Sequence, residues 1–182
     1  MIIEPINTRR AHYSFSGEPV EPEKLLAVLT AATLAPSGAN NQPWRYFYAI
    51  QGSPGFDLLA GCLDEGNQRY ARKAGALILA AAQMRYTYKD RVINNSHAWH
   101  DTGLANAMLM VQATAMGLRS HPMGGFDSEK ARTAANLGQD TDPVLMIALG
   151  YPGDEAGLPA DLARKQAAPR NRKPLEEVVK QL

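Results

Sequence analysis

The chain has 182 residues, 45% of them hydrophobic, which is enough to bury a core and short enough to favour one compact domain over residues 1–182. Nineteen Lys and Arg against 18 Asp and Glu leave a net charge of +1. That balance removes the electrostatic case for a nucleic-acid or membrane-surface partner and leaves small or neutral ligands.

One cysteine, Cys62, excludes an intramolecular disulfide, a CxxC redox pair and a zinc–cysteine site, and reads as a buried structural thiol. The beginning, MIIEPINTRR, lacks the apolar block of a signal peptide. The most apolar run, Ala74 to Ala82, is far shorter than the ~20 residues that span a bilayer. A soluble cytoplasmic protein without a membrane partner is expected.

Taken in chain order, Pro22 suits a first helical position, and Leu25, Leu26, Val28, Leu29 and Ala32 follow at helical spacing until Pro36 stops the run. WRYFYAI, Trp44 to Ile50, is rich in aromatics and reads as a strand. Ser53 and Pro54 look like the cap and first turn of a short helix through Leu63. GALILAAAQ, Gly75 to Gln83, fits a buried strand or a helical segment by periodicity; its length and place favour the strand. Trp99 to Leu118 is apolar around nearly its whole circumference, the pattern of a helix buried on most sides. DSEKARTAANLG is a further helix, capped by Asp127 or Ser128 and closed by Gly138. PVLMIALGYP, Pro143 to Pro152, is a strand buried on both faces. Residues 153–182 are polar, contain proline and are too poor in large apolar side chains to form a core of their own.

Five short segments are candidates to carry chemistry. Arg9 and Arg10 lie near one terminus. Arg164, Lys165, Arg170, Arg172 and Lys173 lie near the other, in a stretch without an acidic residue. A basic run of this kind is either a solvated face or, if the two ends meet in space, a set of fork-shaped donors for one phosphate. No GxGxxG follows a strand and no GxxxxGK[ST] is present, so side chains would have to hold such a phosphate. The stretch APSGANNQPW, Ala35 to Trp44, joins a stopped helix to a strand. Ser37, Asn40 and Gln42 offer groups that donate and accept, and Gly38 permits close backbone approach; a polar turn with local bonds is the alternative. Gly124 and Gly125 in HPMGGFD can present bare backbone N–H groups to a flat acceptor. In SHAWHDTG, His97, His100 and Asp101 have the spacing to share a helix face and hold a metal, which would make a metal-dependent hydrolase. A place at a helix start or on the substrate side of a pocket, with Trp99 beside it, is the other reading of these histidines.

INTRRAHYSF, PVEPEKLLAVLTAATLAPSGANNQPWRYFYAI, GLANAMLMVQATAMGLRSHPMGGFD, VLMIALGYP and PRNRKPLEEVV, in this order over nearly the whole chain, resemble the FMN-dependent nitroreductase family, with APSGxNxQPW and RKPLEEVV the most specific pieces. The resemblance implies an α+β fold with a central mixed or antiparallel sheet flanked by helices. It also implies a homodimer with two FMN sites at the interface and residues 153–182 wrapped on the partner subunit. It places Arg9, Arg10, Arg170 and Arg172 near the FMN phosphate and ribityl chain, with Ala11 and Tyr13 in the same segment. Pro36, Ser37, Gly38 and Asn40 would come from the other subunit. Gly124 and Gly125 would face the ring edge at N5 and O4, and Asn67 falls where some members place a polar flavin contact. Gln42 would brace its loop.

The implied activity is ping-pong transfer of hydride from NADH or NADPH, through flavin N5, to a small-molecule electron acceptor such as a nitroaromatic or a quinone. No side chain is assigned as a catalytic acid. The common pattern RRSxRxF differs here at Ala11, which removes a hydroxyl, and at Tyr13, which replaces a third basic residue. Losing these contacts weakens FMN binding about a hundredfold unless His12, Tyr13 or Lys173 compensates. A non-catalytic FMN-binding or storage protein is the corresponding alternative.

Overall fold

The computed structural model of the protein describes residues 1–182. In chain order its elements are α1 (Glu4–Thr8), α2 (Pro22–Thr33), a 3₁₀ turn (Gly38–Asn40), β1 (Trp44–Ile50), α3 (Pro54–Ala60), α4 (Glu65–Ala71), β2 (Ala76–Gln83), β3 (Arg85–Tyr88) and β4 (Arg91–Asn94). They continue with α5 (Ala98–Ala115), β5 (Arg119–Met123), α6 (Ser128–Ala134), β6 (Thr141–Gly150), α7 (Ala160–Ala167) and α8 (Leu175–Val178).

ALILAAAQ is a strand because its residues divide cleanly between two cores. Leu77 and Leu79 point into one, with Phe56, Leu59, Tyr70, Met146 and Leu162. Ala76 and Ile78 point into the other, with Leu25, Val28, Leu109, Ile147 and Leu149. Both faces of β2 are covered, so an unbroken apolar run satisfies the two-residue period of a strand. The four-stranded sheet has the order β1-β2-β6-β5, and each neighbouring pair is antiparallel. A single parallel bridge, Ala11 with Ser120, lays the N-terminal segment along β5. The register of β2 against β6 shifts between Ala80 and Ala81, where Val144 is the extra residue of a bulge. Pro143 is tolerated beside it because the ladder is already interrupted there.

Several boundaries differ from expectation for identifiable reasons. The helix begun by Ser53 ends at Ala60 rather than Leu63; the Ser53 hydroxyl does accept the Phe56 N–H at 3.3 Å. Asp127 caps α6 by accepting from Glu129 and Lys130, but α6 closes at Ala134 with Asn136 in the left-handed region, not at Gly138. Helix α5 buries only one stripe, which includes Asp101, Thr102, Ala105, Leu109 and Ala113. Its other side leaves Trp99, Leu104 and Met108 exposed, so it is not buried on most sides within one chain.

The start of the polar C-terminal segment is also not free of its own subunit. Leu162 and Gln166, four apart on α7, are buried there, and Asp161 pairs with Arg69 through two bonds of 2.8 Å. From Ala167 onward every residue is exposed. Cys62 is buried with its thiol on the Leu58 carbonyl. No helix is long and apolar enough to cross a membrane.

Candidate functional site

The two basic ends meet. The Arg170 guanidinium donates to the carbonyls of Arg9 at 2.9 Å and Ile6 at 3.3 Å, and Arg10 donates to the Ala168 carbonyl at 2.7 Å. Burial, and then the charges of Arg170 and Arg172, lower the pKa of Arg9. None of the guanidinium groups of Arg9, Arg10, Arg170 and Arg172 is paired with a carboxylate. Like charges gathered by the fold without counter-charges form a site complementary to a multivalent anion.

Next to this cluster, a buried polar chain connects the N-terminal segment to the glycine pair. His121 Nδ1 lies 2.8 Å from the His12 carbonyl, and its Nε2 lies 3.2 Å from the Tyr70 hydroxyl. Tyr70 donates to Asn67 Oδ1 at 2.7 Å, and Asn67 Nδ2 donates to the Gly125 carbonyl at 2.8 Å. The Asp64 N–H donates to the same carbonyl, whereas no protein acceptor meets the N–H groups of Gly124 or Gly125. The loop therefore keeps its carbonyl occupied and its donors free. A Cβ at 125 would lie 2.6 Å from Asp64 Oδ2 and 2.8 Å from Asn67 Nδ2, so both side chains would have to shift and the Asn67 bond to the loop with them; at Gly124 nothing lies within 4 Å. Asn67 thus links Tyr70 to the glycine loop, with one bond at each of its polar atoms.

Tyr13 is likewise engaged within its own chain. Its ring packs edge-on against Tyr70 and His121 with centroids 5.0 and 4.7 Å apart, and its N–H donates to Gln166 Oε1. Ala11 lies in the bridge to Ser120. Burial, with Arg119 and Arg10 adding to it, lowers the His12 pKa to about 4; burial also lowers that of His121. Both histidines are neutral at pH 7, so positive charge here comes from the arginines.

The APSGANNQPW loop is a separate, tightly bound unit. Ser37 Oγ accepts the Gln42 N–H at 3.0 Å, Gln42 Nε2 reaches the Asn40 carbonyl at 3.4 Å, and Arg45 donates to the Gln42 carbonyl at 3.0 Å. Gln42 thus braces the loop. Pro36 is exposed and the Asn40 side chain makes no bond within the chain, whereas the Gly38 N–H is taken by Asp101 Oδ2 at 2.9 Å. The loop shares no hydrogen bond with the arginine cluster of the same chain.

His97, His100 and Asp101 do not converge on a common point. His100 Nδ1 bonds Asp101 Oδ1 at 2.9 Å, the two imidazole centroids are 6.5 Å apart, and no group of three His, Cys, Asp or Glu side chains is placed to hold a metal. His97, His100 and Asp101 therefore do not form the metal site that the hydrolase alternative needs. Burial alone would raise the Asp101 pKa, but hydrogen bonds from His100 and the Gly38 N–H outweigh it and leave the carboxylate below its ordinary value.

A sequence profile described as Nitroreductase family matches residues 6–54 and 56–151. The chain belongs to the nitroreductase family. The profile covers the N-terminal arginines, the APSGANNQPW loop and the glycine pair, and stops before Arg170 and Arg172. Nitroreductase-family proteins are oxidoreductases, and this chain has their α+β fold. One solved structure, described as an oxidoreductase containing FMN, superposes with a TM-score of 0.95 at 30% identity, over 100% of this chain and 92% of that one. A 15.4 kDa protein of Mycolicibacterium smegmatis is 37% identical over 123 residues, 68% of this chain and 80% of the relative. A Bacillus subtilis relative, YdgI, named as a candidate NAD(P)H nitroreductase, is 26% identical over 170 residues, 75% of this chain and 80% of its own.

Proposed function

We propose that this nitroreductase-family oxidoreductase uses FMN, takes hydride from NADH or NADPH and delivers it to flat, electron-poor small molecules such as nitroaromatics and quinones. The observation that carries the reading is the set of four arginines brought together from opposite ends of the chain with no carboxylate partner. The FMN contained in the 30%-identical solved structure and the NAD(P)H in the name of the B. subtilis relative support it.

The residues present suit the cofactor at both of its ends. Arg9, Arg10, Arg170 and Arg172 would hold the phosphate, each charge-assisted bond contributing roughly 1.5–3 kcal/mol. From Ser120, opposite Ala11, to Gly124 the chain advances about 13 Å. That separation would suit a phosphate at the arginines and a ring at the glycines. The free N–H groups of Gly124 and Gly125 would face the electron-rich edge of the ring and favour added electron density there. When bound, FMN supplies hydride exchange, first with the reduced nicotinamide and then with the acceptor that replaces it, which is a ping-pong order. The protein's part is to hold both reactants flat and close and to supply donors, not a side-chain acid.

The Ser37–Asn40 segment would complete the site of a second copy. Exposed Trp99, Leu104 and Met108 on α5, and exposed residues 168–182, are the surfaces through which a homodimer would form, the tail lying on the partner. Sedimentation at micromolar concentration should show a dimer; a folded monomer would remove the shared site. The decisive experiment is a visible spectrum of the protein with FMN, followed by anaerobic NADH or NADPH. Flavin bands that remain with the protein and bleach establish the activity class. Flavin that elutes freely overturns it, and flavin that binds but is not reduced by either nicotinamide reassigns the chain as a cofactor-binding protein.

A further inference from the structure

We infer that Asp101 is the positioning residue of the Ser37–Gln42 loop, holding from α5 the one backbone form that can present Ser37 and Asn40 to a cofactor. The cofactor half of this inference rests on the FMN reading; the anchoring half does not.

Ala39, Asn40 and Gln42 have φ of 49°, 55° and 47°, so three non-glycine residues out of four sit in the left-handed region. Such a backbone persists only where its surroundings over-determine it. Within the loop, the Ser37 hydroxyl accepts from Gln42, and Asn40 and Asn41 donate to the carbonyls of Ser37 and Gly38. From outside, hydrogen bonds reach it from two side chains. Arg45 is exposed and belongs to the strand the loop runs into, so it moves with the loop. Asp101 belongs to a different element, is only 3% exposed and accepts the Gly38 N–H at 2.9 Å.

The carboxylate itself is held fast. Its second oxygen accepts from His100 at 2.9 Å, no Lys or Arg competes for it, and it lies in the first turn of α5, where the helix dipole favours negative charge. Burying an acid without a basic partner other than an exposed histidine is costly unless both oxygens are satisfied. Here both are, one of them by the loop.

The test compares cofactor-free wild type, Asp101→Ala and Asp101→Asn by amide hydrogen exchange, then titrates each with FMN. In Asp101→Ala the Gly38 and Gln42 amides should exchange at least tenfold faster while β2 and β6 amides keep their protection, and FMN affinity should fall at least tenfold. Asp101→Asn keeps an oxygen for the Gly38 N–H and should recover most of both. If the Ala variant does not fold, Asp101→Leu fills the same space without an acceptor and takes its place. Unchanged loop exchange overturns the inference. So does a loop that opens without loss of FMN affinity, and so does faster exchange throughout the molecule, which would mean a general packing role. Wild type that binds no FMN overturns the flavin reading instead, and loop exchange alone then decides the anchoring.

Discussion

Arg9 differs from its neighbours in making no hydrogen bond through its guanidinium, while burial and two nearby arginines work against its charge. The fold gains nothing from that charge. Arg9→Gln should therefore leave the unfolding midpoint of the cofactor-free protein unchanged or raise it, and weaken FMN ten- to a hundredfold in a fluorescence titration. Equal FMN affinity in the variant would remove Arg9 from the site. The glycine pair gives a second contrast. Gly125→Ala drives a Cβ into Asp64 and Asn67, whereas Gly124→Ala meets open space. The first should weaken FMN by at least tenfold and the second should bind as wild type does, both read by the same titration. These residues stand out as candidates in the sequence because their types announce their chemistry: paired arginines, adjacent glycines, small residues around a proline. Asp101 was legible only as a metal candidate. Its bond to Gly38 joins residues 63 apart, and no spacing rule carries that information. Tyr70, His121 and Gln166 were missed for the same reason, since only tertiary contact buries them and gives each its polar partner.

Among the elements, the long apolar strands and amphipathic helices were read to within a few residues, because burial on a sheet or helix face imposes its period directly on the sequence. The β3–β4 hairpin was not. Its two-residue turn is Lys89-Asp90, both with positive φ (47° and 60°), where Asn-Gly would be the recognisable signal. The strands beside it are only four residues long and bury none of their side chains fully, so the Tyr86–Tyr88 alternation is too short to mark them. Lys89→Asn combined with Asp90→Gly should relieve about 1 kcal/mol of backbone strain and slow amide exchange across Arg85–Asn94 about fivefold. Exchange at wild-type rates would show that the turn is not what limits the hairpin. Strand β5 escaped detection because RSHPM looks polar. Ser120 and His121 are buried there by the N-terminal segment, a cover drawn from more than a hundred positions away.

At the scale of the whole molecule, pH acts through the histidines beneath the N-terminal segment. His12 titrates near 6.5 when unfolded and near 4 when folded, and His121 is also lowered by burial. A depressed base binds protons more readily in the unfolded chain. Stability is then fully present above about pH 6.5 and is lost as pH falls toward about 4. Urea midpoints measured across that range should decline, and His12→Asn should flatten the decline; a midpoint insensitive to pH in this window would contradict the burial of both imidazoles. The one-sided burial of α5 also belongs to this scale. An all-round apolar helix predicts cover on every side, and one chain supplies cover on one side only.

The meeting of the two termini has a consequence in time. Arg170 and Arg172 sit close to the end of the chain, yet Arg170 must return to Ile6 and Arg9 to complete the cationic cluster. During synthesis Arg9 and Arg10 emerge well before Arg170 and Arg172, and the cluster stays incomplete until the later pair has followed. A chain cut just before Arg170 would keep the sheet and both glycines but lose half of the cationic cluster proposed to hold the phosphate.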